Sequence, residues 1–253
     1  MGFNPIDLTG RRILVTGASS GIGRATAAHL SKLGANLVLV ARNEAALRET
    51  LSRLEDGDHS WRAVDLSDIA AIEPLIKEIT AEKGPLSGLA HCAGTGDVRS
   101  LPMTKYDFLH RVMLINFYAF VELARCFCKR GHFAERSSVV GVSSVASPRG
   151  EKAKLAYSAS KAAMDSAVRV MALELWEKGI RVNTVVPGLI RTEMHERFIK
   201  VVGEDAAKAE VGKQFMGIGE PVDVANAIAF LLSDAAKLIS GTALSVDGGW
   251  LTK

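Results

Sequence analysis

Seven short apolar runs punctuate this chain, and longer segments of helical periodicity lie between them. The runs are "RILVTG", "NLVLVAR", "WRAVDL", "LSGLAHCAG", "SVVGVSS", "IRVNTVVPG" and "ALSVDGG". A strand with one wet face alternates apolar and polar residues. These runs are apolar almost throughout, as strands covered on both faces must be. Strands that alternate with helices join by crossovers, which gives parallel pairing and helices on both sides of the sheet. The expected fold is α/β: a doubly wound, mostly parallel seven-stranded sheet of the Rossmann type.

Asn43, Ser67 and Thr104 stand where helix N-caps belong, and Gly34 stands where the first helix should stop. No linker rich in Pro, Gly or Ser interrupts the pattern. Residues 1–253 are therefore expected to form a single domain. The one long stretch without an evident pattern, about 188–220, carries Phe198, Ile199, Val201 and Val202, and is expected to be an irregular, mobile lid over a site.

Composition removes several classes of function. Hydrophobic residues make up 48% and charged residues 23%, with a net charge of +3, which suits a soluble globular protein with a real core. No run of cations offers a track for nucleic acid. Three cysteines, Cys92, Cys126 and Cys128, support neither a disulfide framework nor a zinc site. A reduced, cytoplasmic protein without a metal is the expectation. The most apolar long stretch, "VMLINFYAFVELARCFC", is broken by Asn116, Glu122 and Arg125, so it is expected to be a buried helix and not a membrane span.

In an open parallel sheet, ligands bind beyond the carboxyl ends of the strands. The informative residues fall there. "TGASSGIG" follows the first strand, with Gly17, Ser19, Ser20, Gly21, Ile22 and Gly23. Its backbone N–H groups and the helix it opens suit a pyrophosphate. Arg42 follows the second strand, Asp65 and Leu66 the third, and Cys92, Ala93 and Gly94 the fourth. Ser143 and Ser144 follow the fifth strand, and Pro187 and Gly188 the sixth. In "YSASK", Tyr157 and Lys161 share a helix face at i and i+4. An ammonium beside a phenol favours the phenolate, so the pair is expected to lower the Tyr157 pKa and make it a proton carrier.

Taken together, "TGASSGIG", the "SS" pair thirteen residues before Tyr157, "YSASK" and "PGLIRT" resemble the compact single-domain branch of the short-chain dehydrogenase/reductase family. The resemblance runs from about Leu8 to the terminal "VDGGW". It implies a nicotinamide cofactor and hydride transfer at a carbonyl carbon. Tyr157 would be the acid, Lys161 its electrostatic partner and a ribose ligand, and Ser144 the donor to the substrate oxygen. Asn116 would hold a water on a proton path to Lys161. Ile190 and Thr192 would contact the nicotinamide carboxamide, and Asp65 the adenine. One departure stands out: Cys92 occupies the position where the family commonly has Asn, which weakens the expected support of that loop.

Ala41 stands where an NAD enzyme usually has a ribose-binding carboxylate, and Arg42 follows it with a guanidinium that can grip a 2′-phosphate, so NADPH is the expected cofactor. The most similar branch is that of 3-oxoacyl carrier-protein reductases, which implies a carrier-linked thioester substrate. Lys129, Arg130 and Lys178 are the candidate cations for an acidic carrier. A small ketone, steroid, quinone or sugar is the alternative substrate class, and a non-catalytic NADPH sensor the remote one. The C-terminal "LSVDGGW" resembles the family segment that packs between subunits, which implies a homotetramer.

Overall fold

The computed structural model describes residues 4–96 and 98–252; the outermost residues of the expected 1–253 unit and Asp97 lie outside them. All seven apolar runs form strands: β1 (Arg12–Thr16), β2 (Asn36–Ala41), β3 (Ser60–Ala63), β4 (Leu86–His91), β5 (Phe133–Val142), β6 (Arg181–Pro187) and β7 (Ala243–Val246). They build one sheet in the order β3-β2-β1-β4-β5-β6-β7, and every neighbouring pair is parallel. The order reverses between β1 and β4, so a crevice opens above their carboxyl ends.

The helices are α1 (Gly21–Lys32), α2 (Glu44–Leu51), α3 (Ile72–Lys83), α4 (Tyr106–Met113), α5 (Ala119–Phe127), α6 (Leu155–Leu175), α7 (Glu193–Val202), α8 (Glu204–Val211) and α9 (Pro221–Leu232). Strand alternation sorts them onto two faces. Ile13, Val15, Leu37 and Leu39 meet α1 and α9 on one side, through Leu30 and Ile228 among others. Leu14, Val38 and Val40 meet α3, α5 and α6 on the other, through Ile76, Phe120 and Met164. Both faces of the inner strands β1, β2, β4 and β6 are buried, which is why those runs carry so few polar residues, whereas the edge strands β3 and β7 stay partly exposed.

Three local expectations change. Asn43 caps α2 as expected, accepting from Ala46 N at 3.0 Å. Ser67 does not cap; Asp68 caps a short 3-10 turn ahead of α3, and Ser67 instead donates its N–H and hydroxyl to Asp65. Thr104 does not cap α4 either; its hydroxyl donates to the Ser100 carbonyl at 3.0 Å, and Lys105 holds the cap position. The third change concerns residues 188–220, which are not irregular: they hold α7 and α8. Thr192 caps α7 by accepting from His195 N at 3.3 Å, and Met194, Phe198 and Val201 recur at helical spacing along it.

The apolar stretch around Asn116 is one helical path with a defect. Between α4 and α5 the chain makes a π turn over Leu114–Tyr118, with Asn116 fully buried. π turns insert a surplus residue and re-aim side chains, often at functional sites.

Candidate active site

The turn from β1 into α1 is built to receive an anion. Gly17 and Gly21 have φ of +64° and +49°, where a side chain would strain the backbone. A Cβ on Gly23 would lie 2.1 Å from the Gly17 carbonyl oxygen, so only glycine lets the turn close. Ser20 holds the N-cap position of α1 with no side-chain bond to its own helix, so the first N–H groups stay free. Together with the helix dipole they form a donor set that fits a pyrophosphate. The Arg24 guanidinium donates to the Ser19 carbonyl at 2.6 Å and stiffens the turn.

From this turn a groove of about 490 Å³ runs past Arg42, Asp65, Leu66, Ala93 and Thr192. Ser19, Ser20, Gly21, Ile22 and Gly23 form its floor. The groove suits an extended ligand in size. A neighbouring cavity of about 210 Å³ holds Ser144, Tyr157, Lys161, Pro187, Gly188 and Ile190. Ile22, Cys92, Gly94 and Thr192 border both spaces. The structure thus gathers the expected cofactor residues along one channel, and Ser144, Tyr157 and Lys161 where that channel ends.

Tyr157 and Lys161 do share one face of α6. The ammonium lies 5.8 Å from the Tyr157 ring centroid and donates to the Val142 carbonyl at 2.7 Å. Ser144 is hydrogen-bonded to the phenol. Ser143 points the other way, donating to Asp165 Oδ2 at 2.9 Å.

The expected direction of the Tyr157 pKa is corrected. Burial raises it, the Glu151 carboxylate raises it further, and only the Ser144 bond opposes. Lys161 turns its donor to Val142, so desolvation prevails over the distant cation. Burial also pushes Lys161 itself down to about 8, against the opposing pull of Asp165 and Cys92. The phenol therefore holds its proton at neutral pH, the form an acid needs.

Asn116 lines neither space; it stands behind Gly94. Its Oδ1 accepts from Thr95 N at 2.8 Å, and its Nδ2 donates to Thr95 O and Ser160 Oγ, both at 2.9 Å. The loop after β4 is thus clamped by a side chain from the π turn. A Cβ on Gly94 would come within 3.2 Å of Asn116 Oδ1 and 3.5 Å of Lys161 Nζ, so glycine keeps the approach between them open.

Cys92 adds little to that loop. Its Sγ lies 4.0 Å from Thr26 Oγ1, and burial pushes the thiol up to about 12. Support comes from Thr16, whose hydroxyl accepts from Ala93 N at 3.2 Å and meets His91 Nδ1 at 3.0 Å.

Several lining residues carry no legible signal in the sequence. Glu151 and Lys154, an ion pair in a loop without periodicity, form part of the smaller cavity wall. Arg197 reaches both spaces from α7, and Trp250 lines the smaller one. The helical spacing of Met194 and Phe198 on α7 was the one available cue.

Comparison with known proteins agrees with this geometry. Residues 17–251 match the family described as Enoyl-(Acyl carrier protein) reductase. The chain is 34% identical over 249 residues to the 3-oxoacyl-[acyl-carrier-protein] reductase FabG of Rickettsia felis, covering 97% of this chain and 99% of that protein. A dehydrogenase/reductase from Sinorhizobium meliloti 1021 superposes with a TM-score of 0.90 at 31% identity, covering 97% of each chain. A protein from Beutenbergia cavernae, assigned as an NAD(P)-dependent gluconate 5-dehydrogenase and holding NADP at low occupancy, superposes with a TM-score of 0.89 at 27% identity, covering 99% of this chain and 100% of that one.

Proposed function

The chain belongs to the short-chain dehydrogenase/reductase family, and on that basis we propose that it is an NADPH-dependent reductase of a carbonyl group. The observation that carries the reading is the meeting of Ser144, Tyr157 and Lys161 in one cavity that shares the wall residues Ile22, Gly94 and Thr192 with the glycine-turn groove. A reduced nicotinamide bound there would supply the hydride. Ser144 donates a hydrogen bond to the carbonyl oxygen and polarises it. Tyr157 hands its proton to that oxygen, and Lys161 stabilises the phenolate left behind. Asn116 holds the loop that separates the two spaces.

Arg42 supports NADPH over NADH: it borders the groove, and a guanidinium can grip a 2′-phosphate with two hydrogen bonds. The match to the Rickettsia felis relative supports a carrier-linked 3-oxoacyl thioester as substrate. Of the cations considered for docking a carrier, Lys129 is paired with Glu73 and Lys178 with the Cys128 carbonyl. A small polar ketone is the second reading, favoured by the Glu151–Lys154 pair in the wall of a modest cavity.

Val170, Leu173 and Trp176 stand exposed near the end of α6, which supports assembly with further copies of this chain, a tetramer by family resemblance. Among the described residues no helix is long and apolar enough to cross a membrane.

The test is a panel of 3-oxoacyl thioesters, small ketones and sugars, read by the loss of NADPH absorbance. Tyr157→Phe should abolish turnover while NADPH still quenches protein fluorescence. Normal turnover in that variant, or no carbonyl-dependent oxidation of NADPH by the wild type, would refute the reading.

A further inference from the structure

Tyr157, Lys161 and a third residue, Asp165, follow one another at four-residue spacing on one face of α6. Asp165 is 9% exposed and touches neither the groove nor the cavity. Its Oδ1 accepts from Thr184 Oγ1 at 2.7 Å, and its Oδ2 accepts from Ser143 Oγ at 2.9 Å and from Ser147 Oγ. One carboxylate therefore ties α6 to β6 and to both ends of the turn 143–147, which carries Ser144. Within that turn, Ser144 Oγ accepts from Ala146 N at 3.2 Å, and Ser147 N donates to the Ser144 carbonyl at 2.9 Å.

A buried ammonium needs a nearby negative charge. Among the hydrogen bonds of the described residues, Lys161 has only the Val142 carbonyl as acceptor. A direct ion pair would occupy its remaining donors. Asp165 stands one turn further along the helix, with both carboxylate oxygens already accepting from hydroxyls. It can favour the charged amine without binding it. The other titratable groups around Lys161 are Tyr157 on the same helix and His91 and Cys92 at the end of β4; burial holds His91 neutral and Cys92 protonated.

Resting on the reductase reading, we propose that Asp165 is a positioning residue: it supplies the offset counter-charge that keeps Lys161 protonated and fixes the turn that aims Ser144. It touches no reacting atom and acts through these two residues.

The variant Asp165→Asn keeps the shape and removes the charge. It should fold, bind NADPH within about twofold of wild type, and lose about tenfold or more in kcat with little change in KM. Because Asp165 favours the protonated amine, its loss moves the alkaline limb of the pH–rate profile to lower pH. A nitrogen-NMR titration with isotope-labelled lysine reads the same shift at Lys161 in the ligand-free protein, whatever the substrate. Thr184→Val removes one tether and keeps the charge; kcat should fall several-fold with the Lys161 titration unmoved. A folded Asp165→Asn protein with an unmoved Lys161 titration overturns the counter-charge role. A Thr184→Val enzyme with wild-type kcat overturns the aiming of Ser144. Failure of the reductase reading looks different: wild type without turnover, or Tyr157→Phe with it, while the NMR titration still decides the effect of Asp165 on Lys161. Should Asp165→Asn not fold, Asp165→Glu keeps the charge and displaces it; an unchanged Lys161 titration and kcat there would equally count against the proposal.

Discussion

Arg42 Nη1 lies 3.9 Å from Asp65 Oδ2, across the carboxyl ends of β2 and β3. The guanidinium is 77% exposed, so the pair is weak, and a cofactor phosphate can take it over. Ser67 donates its N–H and hydroxyl to Asp65 and holds that carboxyl below its usual range, so the charge beside Arg42 persists at neutral pH. Arg42→Ala should weaken NADPH binding about tenfold, roughly 1.4 kcal/mol, and NADH less than about twofold. Fluorescence titration with both cofactors checks this, and tighter NADH in the wild type would reverse the assignment.

Asn116 makes three hydrogen bonds from a fully buried site, two of them to the backbone of Thr95. Asn116→Leu leaves that N–H and carbonyl without partners. The expected cost is about 2–4 kcal/mol, or about 5–12 °C in Tm for a chain of this size. Thermal unfolding reads the stability, and kcat should fall further than the loss of folded protein explains.

Glu151 borders the same cavity as Tyr157 and, after burial, is the second influence raising its pKa. Glu151→Gln removes that charge and leaves the Lys154 cation unpaired. Both changes favour the phenolate, so Tyr157 should titrate at lower pH. Subtracting the ultraviolet titration of a Tyr157→Phe background isolates this one phenol. A shift to higher pH would contradict the assignment.

His91 is fully buried, and burial with the nearby Lys161 charge pushes it from 6.5 down to about 3. Its folded pKa is depressed, so the unfolded chain binds the proton more tightly. Its contribution to stability is fully present above 6.5 and drains away as pH falls towards about 3. At about pH 5 the loss is roughly 2 kcal/mol. Urea unfolding at about pH 5 and at about pH 7.5 should show that fall, and His91→Gln should remove this share of it.

The sheet was legible because burial on both faces leaves a dense apolar signature, and Ile13 to Val15 or Leu37 to Val40 could hardly fold otherwise. The glycine turn was legible because Gly17, Gly21 and Gly23 meet backbone demands that no other residue satisfies. Caps were less so. Asp68 outcompeted Ser67, and Thr104 turned back to Ser100, choices made by loop geometry that a single sequence does not display. In α7 the evidence was present in Thr192, Met194 and Phe198, but exposed polar neighbours such as Glu196 and Lys200 masked the period. The Tyr157 pKa depended on depth and on Glu151, six residues upstream, neither of which spacing reveals. The partners of Asp165 come from β6 and from the turn that follows β5, so its role emerges only when these are brought against α6.

The π turn at Leu114–Tyr118 leaves one surplus residue in an otherwise ordinary helix. Removing a single residue there would restore uninterrupted α-helical winding, and the flanking segments could keep the faces they already bury. Architecture and chemistry are therefore separable at this point by a lone deletion. Phe108 and Phe120 could remain anchored while the amide swings off Thr95, yielding a sound scaffold with an unbraced loop after β4.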